Sequence, residues 1–300
     1  MVNEKASAQG AKVIMPAFCW MQGENDSKTG LHAPYADALK QLIANLRRDL
    51  KRPDMNVVIG RISDHERINP PAWKIVREAQ VVKIDRDIPL ELACLVGCGV
   101  TTGWGSSVYA AEVRAGDNVA VIGVGGIGAA AVQGARLAGA RNIIAIDPVE
   151  FKREQAMKFG ATHTANSIGE AFSLIQEITW GRMCDKIICC VGVGDGEQIG
   201  PIMQLCAKRG RVVVTNIHPA SEGSINISLC DLTLMEKQLV GTIFGSANPN
   251  SDIPRLMHLY RSGQLDLAGM VTREYDLEDI NEGFADMLAG KNIRGVLRYK

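Results

Sequence analysis

The chain has 300 residues, of which 46% are hydrophobic, so it can bury a sizeable core and is long enough for two domains. Basic and acidic side chains each number 33, and the formal net charge is zero. No run of like charge indicates a nucleic-acid or anionic-membrane surface, and no apolar segment reaches the roughly 18 residues of a membrane span. We therefore expect a small molecule as partner, with neither nucleic acid nor membrane.

Cysteine content and the first residues favour a cytoplasmic protein. The chain holds eight cysteines, and it opens on the polar string "MVNEKASAQGAKV". That string lacks the basic, apolar and small-residue regions of a secretory leader. We expect reduced thiols rather than a disulfide framework.

The first part of the chain, residues 1–80, alternates strand and helix signals. "KVIMPAFCWMQGE" is apolar and extended, and "PYADALKQLIANLRRDLKR" carries apolar residues at helical spacing. "NVVIGRIS" is typical of a buried strand, and "PPAWKIVREAQ" of a further helix. The pattern predicts a partial α/β segment.

The second part, residues 81–300, is rich in glycine and in continuous apolar strands. "NVAVIGVGG", "NIIAIDP", "KIICCVG" and "RVVVTNI" alternate with helical stretches. Continuous apolar strands interleaved with helices indicate a parallel sheet covered on both faces. The predicted fold class is therefore α/β, a Rossmann-type doubly wound parallel sheet preceded by the partial α/β segment.

A dinucleotide-binding pattern lies within this second part. Gly123, Gly125 and Gly128 directly follow a strand and begin a helix, and the next strand ends at Asp147, 19 residues after Gly128. The glycines allow a tight turn close to a pyrophosphate at the helix N-terminus. Asp147 can accept hydrogen bonds from both hydroxyls of the adenosine ribose and would repel a 2′-phosphate. The pattern therefore favours NAD over NADP; a simple packing turn is the alternative.

From about Val81 onward, the chain resembles the zinc-dependent alcohol dehydrogenases of the medium-chain dehydrogenase/reductase family. The resemblance rests on "LACLVGCGVTTGWG", "AVIGVGGIG", "AIDPVEFKREQAMKFGATHTAN", "GTIFGS" and "NIRGVLRY", in that order. It implies an oxidoreductase that transfers hydride between an alcohol/aldehyde pair and NAD. The strings are especially close to dehydrogenases that keep NAD bound through turnover.

The resemblance also implies roles for individual residues. Cys98 corresponds to a ligand of the catalytic zinc, and Thr102 to a residue that contacts the nicotinamide. The remaining positions imply contacts to the cofactor: Gly123, Gly125, Gly126, Ile127, Gly128 and Arg294 at the pyrophosphate, Asp147 and Lys152 at the adenosine ribose, and Ile217 and Phe244 at the nicotinamide side. Alternatively, Ile217 and Phe244 are core residues, Lys152 is a solvated helix residue, and the Thr102 hydroxyl caps the following helix.

The catalytic zinc of this family takes two cysteines and one histidine from the protein. The first cysteine and the histidine come from a barrel-like domain that we do not find before residue 81, and the chain has no CxxC pair. Cys98 is therefore expected to be an orphan ligand. We interpret the adjacent Cys189 and Cys190 as small core residues.

Residues 12–80 resemble an internal piece of a sialate O-acetylesterase-like, SGNH-related carbohydrate esterase. The resemblance rests on "FCWMQGENDS", residues 18–27, and the elements after it. It implies Gln22 and Gly23 as oxyanion-hole donors. The serine and histidine strings of that family are not found, and the alternative is a polar turn with a helix cap.

Three functions stay open: an alcohol dehydrogenase that needs zinc ligands from elsewhere, a non-catalytic NAD-binding module, and a remnant acetylesterase. The string "KQLVGTIFGS", residues 237–246, resembles the edge through which family members join two cofactor domains. We therefore also expect a homodimer.

Overall fold

A computed structural model of the chain describes residues 17–21, 41, 44, 45, 48, 56–60, 87–219 and 223–298. In the N-terminal part, strand β1 (Ala17–Met21) pairs in parallel with strand β2 (Asn56–Gly60), with Cys19 opposite Val58. The backbone at residues 41, 44, 45 and 48 between them is helical. Parallel strands need a crossover of this kind, so the predicted strand-helix-strand order is confirmed for these residues.

Six parallel strands form the central sheet, in the order β5-β4-β3-β6-β7-β8. Their bounds are β3 Asn118–Ile122, β4 Asn142–Ile146, β5 His163–Ala165, β6 Cys184–Cys189, β7 Cys206–Val214 and β8 Gln238–Gly241. The order reverses between β3 and β6, which is the switch point of a doubly wound sheet. The predicted fold class is confirmed.

Both faces of this sheet are covered. Val119 and Val121 of β3 join one buried cluster, whereas Ala120 and Ile122 join the other. Successive side chains of a strand point to opposite faces, so a strand buried on both sides is continuously apolar. The helices are α1 Leu90–Val96, α2 Gly99–Gly105, α3 Gly126–Leu137, α4 Glu150–Phe159, α5 Ile168–Ile178, α6 Ile199–Gln204, α7 Leu229–Leu234, α8 Pro249–Arg261 and α9 Ile280–Leu288.

Helix α2 is held tightly against α3. A Cβ on Gly103 would lie 2.8 Å from the Ala130 Cβ, and one on Gly134 would lie 3.1 Å from the Trp104 Cα. Glycine at both positions lets the two helices approach closely. A π-helical turn, Ser106–Ala110, follows α2, and a short 3-10 turn, Phe244–Ser246, packs beside it. This packing brings the residues of α2 to the glycine turn that begins α3.

The C-terminal residues form a second, two-stranded parallel sheet. Strand β9 (Val271–Asp276) pairs with β10 (Arg294–Arg298), and α9 connects them. Buried Asp286 fixes the segment before β10. It accepts a hydrogen bond from the Tyr275 hydroxyl at 3.0 Å and forms an ion pair with Lys291 at 3.0 Å. These contacts determine where β10, and Arg294 at its start, can lie. Strand β2 of the N-terminal part lies beside β10 and α1.

None of the helices in the described ranges is both long enough and apolar enough to cross a membrane.

Candidate dinucleotide-binding site

The glycine-rich turn between β3 and α3 has the geometry that its sequence predicts. Gly123 has a φ of 84°, and a Cβ there would lie 2.9 Å from the backbone nitrogen of Val191. A Cβ on Gly128 would overlap the carbonyl oxygen of Gly123, so the helix and strand approach too closely for a side chain. At Gly125 no atom lies within 4 Å of the Cβ position. The turn is therefore closely packed at Gly123 and Gly128, whereas space is left beside Gly125.

Arg294 of β10 reaches this turn from the far end of the chain. Its guanidinium lies against the Cα atoms of Gly126, at the start of α3, and Gly99, at the start of α2, where a Cβ would overlap it. The backbone N–H groups of the first turn of α3 already favour an anion. Added to them, the guanidinium provides a fixed positive charge where a pyrophosphate would lie. Sequence reasoning named Arg294 and Gly126 but missed Gly99, although glycine beside Cys98 was a signal.

Asp147 lies directly after β4 and is only 4% exposed. Its Oδ2 accepts a hydrogen bond from the Val124 N–H at 2.8 Å, and its Oδ1 accepts one from the Val149 N–H at 2.9 Å. The carboxylate therefore ties the glycine turn to the end of β4. Each oxygen keeps a second lone pair, which a ribose hydroxyl can use.

Two basic residues begin α4. Lys152 is half-buried, and its amine lies beside Gly290. The Nζ atom is 3.6 Å from the position that a Cβ on Gly290 would take. Arg153, which sequence reasoning missed, donates to the carbonyl oxygens of Asp147 at 2.8 Å and Pro148 at 2.9 Å. Arg153 therefore holds the backbone that presents the Asp147 carboxylate. Nothing in the string "DPVEFKRE" distinguishes its role from that of Lys152.

Thr102 and Phe244 lie together on the other side of the turn. A Cβ on Gly245 would lie 2.8 Å from the Ser106 nitrogen and would overlap the carbonyl oxygen of Thr102. Phe244, with a φ of 55°, is half-buried. Thr102 is buried inside α2, so the alternative that its hydroxyl caps the next helix is wrong.

Ile217 lies at the carboxyl ends of β6 and β7. It forms an isolated parallel bridge with Val193 and is half-buried. Neither Ile217 nor Phe244 belongs to the buried core, which counts against the alternative that both are core residues. Both lie at the edge of the sheet where the strands end.

Cys98 immediately precedes α2 and is half-buried, and its carbonyl oxygen accepts the Thr102 N–H at 2.8 Å. In residues 87–219 and 223–298, no three histidine, cysteine, aspartate or glutamate side chains are grouped so as to hold a metal ion. A catalytic zinc needs at least three protein ligands. The donors of this part of the chain therefore do not fit a zinc site.

The cysteines of the central sheet are buried. Burial raises the pKa of Cys190 to about 12 and that of Cys206 to about 11. The pKa of Cys189 is raised further for the same reason. Such thiols stay protonated and are inert, so the interpretation of Cys189 and Cys190 as core residues is confirmed. The oxyanion candidates Gln22 and Gly23 lie outside the described residues.

A doubly wound parallel sheet, a glycine turn before α3 and an acidic residue after β4 together define a Rossmann-type domain, the fold in which dinucleotide sites occur. Comparison with family models gives two matches. Residues 126–262 match the zinc-binding dehydrogenases, and residues 1–98 match the carbohydrate esterases described as sialic acid-specific acetylesterases.

Individual relatives agree with the first match. The chain is 51% identical over 227 residues to alcohol dehydrogenase B of Mycobacterium tuberculosis, covering 76% of this chain and 60% of that protein. It is 48% identical over 224 residues to the NDMA-dependent alcohol dehydrogenase of Amycolatopsis methanolica, covering 75% and 60%. The crystal structure of benzyl alcohol dehydrogenase from Acinetobacter calcoaceticus superimposes with a TM-score of 0.68 at 29% identity, covering 73% of this chain and 59% of that one.

The predicted resemblance of the dehydrogenase-like part of the chain to the zinc-type alcohol dehydrogenases of the medium-chain dehydrogenase/reductase family is confirmed by these matches. The chain spans 60% of the length of the curated relatives that it matches. The N-terminal resemblance to the carbohydrate esterases is confirmed by the family match.

Proposed function

We propose that the dehydrogenase-like part of this chain binds NAD and that its function, by descent, is that of an NAD-dependent alcohol dehydrogenase. One observation carries the proposal: the Arg294 guanidinium, the start of α3 and the Asp147 carboxylate all adjoin the glycine turn. A pyrophosphate and an adenosine ribose need these groups, in this order along the sheet edge.

NAD is favoured over NADP. The Asp147 carboxylate is buried and held by two backbone N–H groups, so it cannot turn away from a 2′-phosphate. A carboxylate fixed in this way repels the negative charge of a 2′-phosphate placed beside it. We assign Lys152 to the adenosine ribose from the family resemblance; its amine lies beside Gly290.

Whether the chain can catalyse the reaction depends on its zinc ligands. In the family, zinc supplies Lewis-acid activation of an alcohol oxygen. Cys98 is the one residue among those described that we assign to such a site, and the side chains around it do not complete a ligand set. We therefore propose that the chain, tested alone, binds NAD without turning over an alcohol or aldehyde.

Calorimetry with cofactor-stripped protein tests the binding half, because NAD, NADP and ADP-ribose can be titrated in parallel. We expect NAD and ADP-ribose to bind and NADP to bind more weakly. Failure of ADP-ribose to bind would overturn the proposal. The relation to dehydrogenases that keep NAD bound further predicts that protein purified without added cofactor already contains NAD, which acid extraction and chromatography would detect.

An acetylesterase is the second candidate, and the match of residues 1–98 to the carbohydrate esterases favours it. Donors such as those proposed for Gln22 and Gly23 stabilise an oxyanion, but an activated nucleophile must still attack. Because we find no such serine in the sequence, we expect no hydrolysis of p-nitrophenyl acetate above background. Hydrolysis that disappears in Gln22→Ala would establish the esterase instead.

A homodimer joined through β8 is also proposed. Strand β8 is an edge of the central sheet, and an unpaired edge can recruit a second chain. Several apolar side chains near it are exposed: Leu229 by 71%, Leu234 by 67% and Ile243 by 82%.

We also propose a cytoplasmic location. The division into residues 1–80 and 81–300 is likewise proposed, and sequencing the coding DNA across residues 75–90 would test whether the join is natural.

A further inference from the structure

Arg294, which we assign to the pyrophosphate, is carried by a small sheet outside the central one. Strand β10 begins at Arg294, and among the described residues it pairs with β9 alone. An isolated pair of strands is marginally stable at best in water. The position of the guanidinium therefore depends on the side chains that hold β9, α9 and β10 together.

Strand β9 fixes the backbone directly before Arg294. The two strands shift register between Arg294 and Gly295, so that Thr272 of β9 is left as an extra residue. The hydroxyl of Thr272 accepts a hydrogen bond from the N–H of Ile293 at 2.9 Å. Irregular pairing of this kind changes the direction of a neighbouring side chain. The local pairing therefore sets the direction in which the Arg294 side chain leaves the sheet.

Tyr275 of β9 supports the backbone on both sides of Arg294. A Cβ on Gly295 would lie 2.8 Å from the Cε2 of the Tyr275 ring, and one on Gly283 of α9 would lie 3.4 Å from its Cδ2. The ring is therefore packed between α9 and β10. Its hydroxyl accepts a hydrogen bond at 3.3 Å from the Nδ2 of buried Asn292, two residues before Arg294.

Asp286 of α9 connects these contacts to one buried charge. Its Oδ2 accepts a hydrogen bond from the Tyr275 hydroxyl at 3.0 Å and lies 3.0 Å from Nη1 of Arg273, and its Oδ1 lies 3.0 Å from Nζ of Lys291. The Asp286 side chain is only 5% exposed. Loss of a partner from a buried charge is costly, so the three partners are held in place. One carboxylate thus joins β9 to the loop that leads into β10.

We propose that Asp286 and Tyr275 are positioning residues for the dinucleotide, because they hold the start of β10 where the Arg294 guanidinium lies against the first turn of α3. This inference rests on the proposed binding of NAD. Both residues act through Arg294. A long side chain loses rotamer freedom when it binds, and fixing its backbone in advance reduces that loss.

A double-mutant cycle tests the proposal. The ligand is ADP-ribose, which contains the pyrophosphate but no nicotinamide, and it is titrated by calorimetry into cofactor-stripped protein. We expect Asp286→Asn and Tyr275→Phe each to weaken ADP-ribose by about 3- to 10-fold, the coupling typical of residues in one hydrogen-bond network. In the Arg294→Ala background, the same substitutions should change the affinity by less than about twofold, because the residue through which they act is gone.

Two further measurements make the result specific. Asp279→Asn is the matched control, since it makes the same chemical change at an exposed aspartate at the start of α9. It should leave the affinity within about twofold in both backgrounds. Far-UV circular dichroism and the melting temperature show whether each variant is folded, and all titrations are made well below the lowest melting temperature. Tyr275→Phe keeps the ring and removes only the hydroxyl, so it decides the question where Asp286→Asn does not fold.

The outcomes separate positioning from stability. A purely structural role would weaken ADP-ribose by the same factor with and without Arg294, and that result would overturn the proposal. An unchanged affinity in Tyr275→Phe would overturn it as well. If ADP-ribose does not bind the unmodified protein, the proposed NAD site is itself wrong, and this inference is wrong with it.

Discussion

The Oδ2 atom of Asp147 accepts a hydrogen bond from the backbone N–H of Val124 at 2.8 Å, so the acid that would bind the ribose also fixes the glycine turn. Substitution of Asp147 therefore acts on both the cofactor and the local backbone. A binding measurement alone cannot separate the two effects. A pair of variants can, because asparagine retains one acceptor oxygen and removes the charge.

Asp147→Ala should weaken NAD binding by about 1–3 kcal/mol, the scale of lost charge-assisted hydrogen bonds. It should also lower the melting temperature, since two buried N–H groups lose their partner. Asp147→Asn should weaken NAD less and should improve NADP relative to NAD. Calorimetry with both cofactors measures this, and an unchanged NAD/NADP ratio in the asparagine variant would contradict the role of the carboxylate.

Arg294→Ala should weaken NAD and ADP-ribose by the same amount, about 1.5–3 kcal/mol, because both ligands contain the pyrophosphate. Arg294→Lys should recover part of this loss, since an ammonium keeps the charge but not the planar pair of donors. Arg209→Ala is the matched control, because that arginine is 75% exposed in its side chain and pairs with Glu236 at a surface site. A loss confined to NAD would place Arg294 at the nicotinamide instead.

Local pattern was sufficient to predict the sheet and the glycine turn. Each strand of the central sheet is a short apolar run bounded by turn residues, and the turn requires glycine at Gly123 for its positive φ. Those signals are contained in a few consecutive residues. The predicted contact of Arg294 came instead from family resemblance, since 168 positions separate it from Gly126.

The residues that sequence reasoning missed are those whose role depends on distant packing. Gly99 matters because β10 places a guanidinium against it, and Arg153 because its side chain turns back to the end of β4. No period or motif in the sequence marks these positions, because each is defined by contacts between separate elements.

The proposed dimer predicts a substitution that separates the chains. Ile243→Glu adds a charge beside the edge strand β8, and burying an unpaired charge in an interface is unfavourable. Light scattering after size exclusion should give about twice 32.4 kDa for the unmodified chain and a shift toward 32.4 kDa for the variant. Trp180→Glu is the control, since Trp180 is 96% exposed and lies before β6. A 32.4 kDa unmodified chain at every concentration would contradict the dimer.

Asp286 predicts a pH dependence of stability. The hydrogen bond from Lys291 is the main reason that the pKa of Asp286 is lowered, with further contributions from Tyr275 and Arg273. A lowered pKa in the folded state means stability that is present above the unfolded pKa and lost as the pH falls through the folded one. The melting temperature of Asp286→Asn should therefore lie below that of the unmodified chain near neutral pH, and the difference should shrink in acid. A constant difference from neutral to acid pH would contradict this.

The last prediction separates cofactor binding from chemistry at Cys98. Cys98 immediately precedes α2, and we assign its thiolate to a metal rather than to the dinucleotide. Cys98→Ala should therefore leave the affinity for NAD within about twofold, whereas Asp147→Ala should lower it. Added zinc with NAD and ethanol or benzyl alcohol should give no increase in absorbance at 340 nm from either the unmodified chain or the variant, because a single thiolate cannot form a three-ligand site. NADH production that requires Cys98 would show that the remaining zinc ligands lie in the chain outside the residues described, and the proposal of binding without turnover would then be wrong.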